Sequence, residues 1–268
     1  MTTWVCKTCG TQYPPDEAPP SACAICEDAR QYVPDEGQVW LAWAEFLDGH
    51  RGEFRDDGGI VGIGCAPEFA IGQRALLVPS GAGNVLWDCI TYLDDELVDR
   101  VANEGGLAAI AISHPHYYGA MVEWARAFDC PIWVHEAEQR WVMRPDPLVR
   151  FWSGETMELD EGLTLIRCGG HFEGGQVLHW AERRALLSGD IVQLIPDRRY
   201  VSFMYSYPNL IPLPPSKVQA IVRALEPFPF EAIYGAWWGR VITRDGSAVV
   251  RRSAERYVRA VTEPGLDA

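Results

Sequence analysis

Two Cys-x-x-Cys pairs, Cys6/Cys9 and Cys23/Cys26, constrain the start of this chain more tightly than any other feature. Thirteen residues separate the pairs, a spacing that lets four thiolates converge tetrahedrally on one metal ion. Residues 1–36 are otherwise rich in Pro, Asp and Glu, with too few large apolar side chains to bury a core unaided. Metal binding must supply the folding free energy that packing does not, so the primary reading of this segment is a structural staple. Tetrahedral sulfur suits zinc or iron, and the ligand set alone does not choose between them. The opening Met1-Thr-Thr-Trp-Val-Cys6 lacks the basic start and apolar stretch of an export signal, so a cytoplasmic protein is expected. In that compartment the cysteines point to metal or thiol chemistry and not to a disulfide framework. The other four, Cys65, Cys89, Cys130 and Cys168, are scattered and read as small packing groups.

From residue 37 the pattern changes, which divides the chain into a knuckle, 1–36, and a body, 37–268. Ala75–Pro79 and Asn84–Cys89 flank a Ser-Gly-Ala-Gly turn and read as a hairpin. Asp94 and Asp95 start a helix that Gly105-Gly106 stops. Leu107–Ser113, Pro131–Val134, Leu163–Arg167, Gln176–Trp180 and Ala185–Ser188 read as strands. Ser216 is expected to cap a helix carrying Val218, Ile221, Val222 and Leu225 on one face, and Val250–Val261 keep the same spacing. Strands alternating with helices predict an α/β layered body. No apolar run approaches the ~20 residues that span a bilayer. A formal charge of −14 without a Lys/Arg cluster repels phosphate backbones. The expected partner is therefore a small-molecule substrate, with no nucleic acid and no membrane; oligomeric state is not legible.

His114-Pro-His116 follows a strand, and on an extended segment that spacing sends both imidazoles to the same side. Gly169-Gly-His171 and Ser188-Gly-Asp190 end two further strands, with glycines that allow close backbone approach. Strand ends of this kind gather at one edge of an α/β sheet, where ligands bind. His135, His179 and His50 are read as structural histidines.

Two resemblances follow from these residues. The knuckle, with Gly10, Tyr13 and a Pro-rich connection before its second pair, resembles the rubredoxin-like knuckles appended to rubrerythrins. Most of residues 37–262 resembles the metallo-β-lactamase superfamily, whose signature runs His-x-His-x-Asp-His, then a distant Gly-His, a Gly-Asp and a final His. That resemblance implies an αββα sandwich with metal at the edge between its two sheets. It implies His114, His116 and His171 as metal ligands and Asp190 at the carboxylate position that bridges two metals. The chain departs from the signature at Tyr118 and Gly119, which stand where Asp and His are expected, and at Tyr234-Gly-Ala-Trp-Trp238, where the final His is expected. The resemblance therefore implies a mononuclear site, with Trp237 and Trp238 filling the volume of the second.

Three imidazoles leave a metal position open to water, and zinc lowers that water's pKa to about 7. Asp190 would either ligate or orient from behind the ligands. Tyr118, in the place of the missing Asp, is a candidate to hydrogen-bond a substrate oxygen, or else packs. The aromatic, Pro-interrupted stretch after Asp190 offers Tyr205 and Tyr207 as pocket lining and Arg198 or Arg199 as a partner for an anionic substrate. The primary expectation is a metallo-hydrolase of a small ester, thioester or lactone, with one zinc or iron at the histidines and one zinc or iron at the cysteines. The alternatives are an iron oxidoreductase similar to persulfide dioxygenases, with the knuckle delivering electrons, and a non-catalytic scaffold.

Overall fold

Alternation decides the layers of this molecule. Leu76 and Val78 of the Ala75–Ser80 strand join Val85, Trp87, Leu165, Leu178 and Leu187 in one buried cluster, while Ala75 and Leu77, alternating with them in sequence, join another. Successive strand side chains point to opposite faces, so a strand apolar on both must be covered on both. The computed structural model, which describes residues 1–263, meets this requirement with an αββα sandwich; residues 264–268 of the expected body lie outside the described residues.

The first sheet has seven strands in the order Arg51–Asp56, Val61–Ala66, Ala75–Ser80, Gly83–Trp87, Ala109–Ala111, Ile132–His135 and Val149–Trp152. The second has six, in the order Thr156–Asp160, Leu163–Arg167, Gln176–Trp180, Ala185–Gly189, Ala232–Gly235 and Val241–Ile242. Helices Asp95–Asn103 and Met121–Phe128 bring Leu97, Val101, Met121 and Trp124 onto the outer face of the first sheet. Helices Pro215–Leu225 and Gly246–Thr262 bring Val218, Ile221, Val250 and Ala254 onto that of the second. Asp94 caps its helix as expected, accepting from the Leu97 amide. Ser216 does not: the helix starts at Pro215, whose fixed φ and missing N–H suit the first helical position, and Ser216 lies inside the first turn. No helix among the described residues is long and apolar enough to cross a membrane.

The knuckle is built into this body. Its Trp4–Cys6 strand pairs antiparallel with Trp40–Ala42, beyond the expected boundary at residue 36. The Gln12 amide donates to the Gly119 carbonyl at 3.2 Å, and the Thr91 hydroxyl donates to the Gly10 carbonyl at 2.8 Å.

Arg74 ties the two sheets together. Its side chain, 1% exposed, pairs with Asp57 at 2.5 Å and donates to the Gly235 carbonyl at 2.7 Å, while its amide bonds the Ala236 carbonyl. Removing one partner of a buried pair leaves the other charge uncompensated. Arg74→Ala is expected to destabilise the fold by about 3–5 kcal/mol, read from urea unfolding.

Candidate metal centres

Three strand ends and one tight turn assemble the histidine cluster. His114 keeps extended backbone at φ −171° and ψ 172°. Pro115 then starts a 3-10 turn, Pro115–Tyr117, so the expected extended segment ends at His114 and the turn carries His116 back toward it. His171 and Asp190 follow the Leu163–Arg167 and Ala185–Gly189 strands of the second sheet. Gly189 makes the close approach possible: its φ is +53°, and a Cβ there would lie 2.5 Å from the Ser113 hydroxyl. His114 Nε2 consequently stands 3.2 Å from Asp190 Oδ1, and His116 Nδ1 stands 3.2 Å from His171 Nε2. The atoms offered by the four residues all lie within 4.8 Å of one another.

This donor set fits a metal ion. None of the four residues is more than 4% exposed. His171 Nδ1 donates to the Met204 carbonyl at 3.1 Å, which leaves the Nε2 lone pair facing the cluster. His114 Nδ1 is engaged by the Ser113 hydroxyl at 3.0 Å. Yet His114 Nε2 and Asp190 Oδ1 have no hydrogen-bond partner, and acceptors facing one another in a dry site need a cation between them, a proton or a metal. Burial, with the neighbouring imidazoles adding, holds His114 and His116 well below the usual imidazole range, and burial takes His171 down to about 4. Burial, with the Asp88 charge adding, pushes Asp190 up to about 8. Near neutrality the imidazoles are thus free bases, and the proton that a metal must displace sits on Asp190.

The cysteine cluster is equally convergent. Cys6 and Cys26 Sγ lie 3.5 Å apart, and Cys9 and Cys23 Sγ lie 3.6 Å apart, all four buried. Gln38 donates to the Cys6 sulfur at 3.1 Å and the Tyr13 hydroxyl to that of Cys23 at 3.4 Å, the kind of outer bonding that orients thiolate ligands. Four thiols packed this closely cannot all ionise without a cation.

No family model matches the chain. It is 46% identical over 270 residues to the uncharacterized protein YmaE of Bacillus subtilis (strain 168), covering 97% of each. The chain belongs to the YmaE family. Its fold is that of the metallo-β-lactamases. It is similar to the metallo-β-lactamase FIM-1 of Pseudomonas aeruginosa in its mono-zinc form, with a TM-score of 0.56 and 15% identity, covering 77% of this chain and 96% of that one. It is also similar to TTHA1623 in a di-iron-bound form, with a TM-score of 0.52 and 23% identity, covering 70% and 95%.

In this YmaE-family protein the other expected site residues fare differently. Tyr207 stands at the centre: its ring centroid lies 5.6 Å from that of His171, and its hydroxyl donates to the Asp190 carbonyl at 2.8 Å. Tyr205 lies one layer out, 5.5 Å from the Arg30 guanidinium. Tyr118 is buried against the knuckle, among Thr11, Gln12 and Arg144, and its neighbour Tyr117 takes the place expected for it. The Tyr117 ring is 4.5 Å from that of His114 and its hydroxyl faces Asp190. Arg199 is turned to solvent and held by Asp197 at 2.8 Å, and Arg198 bonds the Ile195 and Gly239 carbonyls, so neither arginine reaches the centre. Trp237 packs edge-on against Tyr117, whereas Trp238 lies over Gly62 and Gly64. At Gly119, where the signature has a histidine, φ is +47° and a Cβ would come within 2.6 Å of the Ile90 backbone, so no ligand side chain fits. Among the described residues, the groups of metal donors are the two clusters above. His135, His179 and His50 bond backbone carbonyls, as structural histidines do.

Two further residues escaped the sequence. Phe172 lies against all three imidazoles, with centroids 5.4, 4.9 and 5.1 Å from those of His114, His116 and His171. Arg30, from the knuckle, stacks on Phe172 at 3.8 Å. Only the position of Phe172 directly after His171 offered a clue.

Because Asp190 must give up a proton to ligate, zinc affinity at this centre, measured by chelator competition with the knuckle loaded, is expected to rise about tenfold per pH unit up to about 8. It should level off above that, and Asp190→Asn should flatten the profile. A flat wild-type profile contradicts the ligand role of Asp190.

Proposed function

We propose that this protein is a mononuclear metal-dependent hydrolase of a small ester, thioester or lactone. The observation that carries the reading is the convergence of three neutral imidazoles and one carboxyl on a single buried point at the strand ends. His114, His116 and His171 would hold the ion through Nε2, Nδ1 and Nε2, with Asp190 Oδ1 completing the set. A zinc or iron ion there would supply a Lewis acid for a carbonyl oxygen and would activate water at neutral pH. Asp190 gives up its proton on joining the ligand set, and the Tyr117 hydroxyl, kept protonated by burial, faces its carboxylate. Phe172, buried against all three imidazoles, helps keep bulk water from the donors. A single ion is supported by the blocked position at Gly119, and FIM-1 has been solved with one zinc. Cytoplasmic placement fits eight free cysteines, which persist where thiols are kept reduced.

One observation favours a second reading, an iron oxidoreductase. The knuckle is docked directly on the histidine centre, with Arg30 donating to the His171 carbonyl, and iron at both clusters would place an electron carrier beside a redox site. That TTHA1623 has been solved with iron is compatible with it.

Protein purified without added metal is to be assayed on ester, thioester and lactone panels and, separately, for oxygen consumption with persulfide. Hydrolysis is expected, falling to background in His116→Ala and by about two orders of magnitude or more in Asp190→Asn, with the circular dichroism spectrum retained. Oxygen consumption without hydrolysis would decide for the oxidoreductase.

A further inference from the structure

We propose that the end of the knuckle, Asp28–Gln31, is a positioning element of the histidine centre, so that filling the cysteine cluster with metal raises the affinity of the histidine cluster. The inference rests on the reading that both clusters hold metal, and it is independent of the reaction catalysed.

Asp28 holds the Arg30 guanidinium in a fork, at 2.5 Å to Nε and 2.9 Å to Nη2. The remaining arm, Nη1, donates to the His171 carbonyl at 3.3 Å, and the planar face covers Phe172, which itself touches all three imidazoles. A guanidinium orients all of these contacts at once; an ammonium cannot.

A second tie runs through Met204–Asn209. On its inner side this segment grips both ligands from the second sheet: the Met204 carbonyl accepts from His171 Nδ1, and the Tyr207 hydroxyl donates to the Asp190 carbonyl. On its outer side it grips the knuckle: the Ser206 hydroxyl donates to the Arg30 carbonyl at 3.0 Å, and the Asn209 amide donates to the carbonyls of Ala29 at 3.1 Å and Gln31 at 2.9 Å. Residues 28–31 follow Cys26 almost directly, so an ion in the cysteine cluster fixes the chain from which both ties depart. Outer partners of metal ligands are typically worth about 10–100-fold in affinity. Linkage makes the coupling mutual: the histidine ion must strengthen the cysteine ion by the same factor.

The test is a cobalt(II) titration of the full chain, in which thiolate charge-transfer bands report the knuckle and weaker visible bands report the histidine centre. Arg30→Ala is expected to lower cobalt affinity at the histidine centre by about tenfold or more and to shift its visible bands, while the knuckle still fills. Arg30→Lys should recover only part of the loss. Asn209→Ala, which removes two of the three bonds of the second tie at an exposed residue, should lower the same affinity and decides the matter if Arg30→Ala does not fold. Histidine-centre affinity within about twofold of wild type in the folded variants overturns the coupling. A wild-type histidine centre that takes up no cobalt overturns the metal reading beneath it as well.

Discussion

Acceptor atoms facing one another in a space without water are the constraint on which this molecule turns. His114 Nε2 and Asp190 Oδ1 lie 3.2 Å apart, both buried, and only a shared proton or a metal ion satisfies the two. An unsatisfied buried polar group costs roughly 1–3 kcal/mol, more when charged, a cost that a bound cation removes. The scaffold around it follows from that demand. Gly189 gives up its side chain so that Asp190 can approach, Ser113 and Met204 fix two imidazoles from behind, and the sandwich brings three strand ends to one edge.

The cysteine cluster answers the same demand differently. A segment too poor in apolar residues to fold alone gathers four sulfurs, then uses the order so gained to lay Arg30 over the neighbouring centre. A backbone at Gly119 with no room for a ligand side chain and a knuckle docked on the histidine centre thus meet in one molecule.

Much of this was legible in the sequence, for definite reasons. Strands alternating with helices disclosed a layered α/β body, and the metallo-β-lactamase resemblance implied the αββα arrangement that the two sheets adopt. The members of the histidine cluster were legible because His114-Pro-His116, Gly-His171 and Gly-Asp190 each follow a strand, and strand ends gather at one edge of the sheet. Tyr118 was singled out by its place in a signature, but Pro115 tightens the backbone into a 3-10 turn and presents Tyr117 to Asp190 in its stead. Arg199 was expected to meet substrate, yet Asp197, two residues before it, captures it at the surface. Arg30 was invisible because its partner, the carbonyl of His171, is brought to it only by the whole fold.

The chain is held to bind two ions, one at each cluster. The most direct measurement is metal content by mass spectrometry in wild type, in a Cys6→Ser/Cys9→Ser double variant and in a His114→Ala/His116→Ala double variant. The account predicts two ions per chain in wild type and one in each variant. A single ion that disappears only with the cysteines would contradict it, leaving the histidine cluster without a metal and the chain without a catalytic centre.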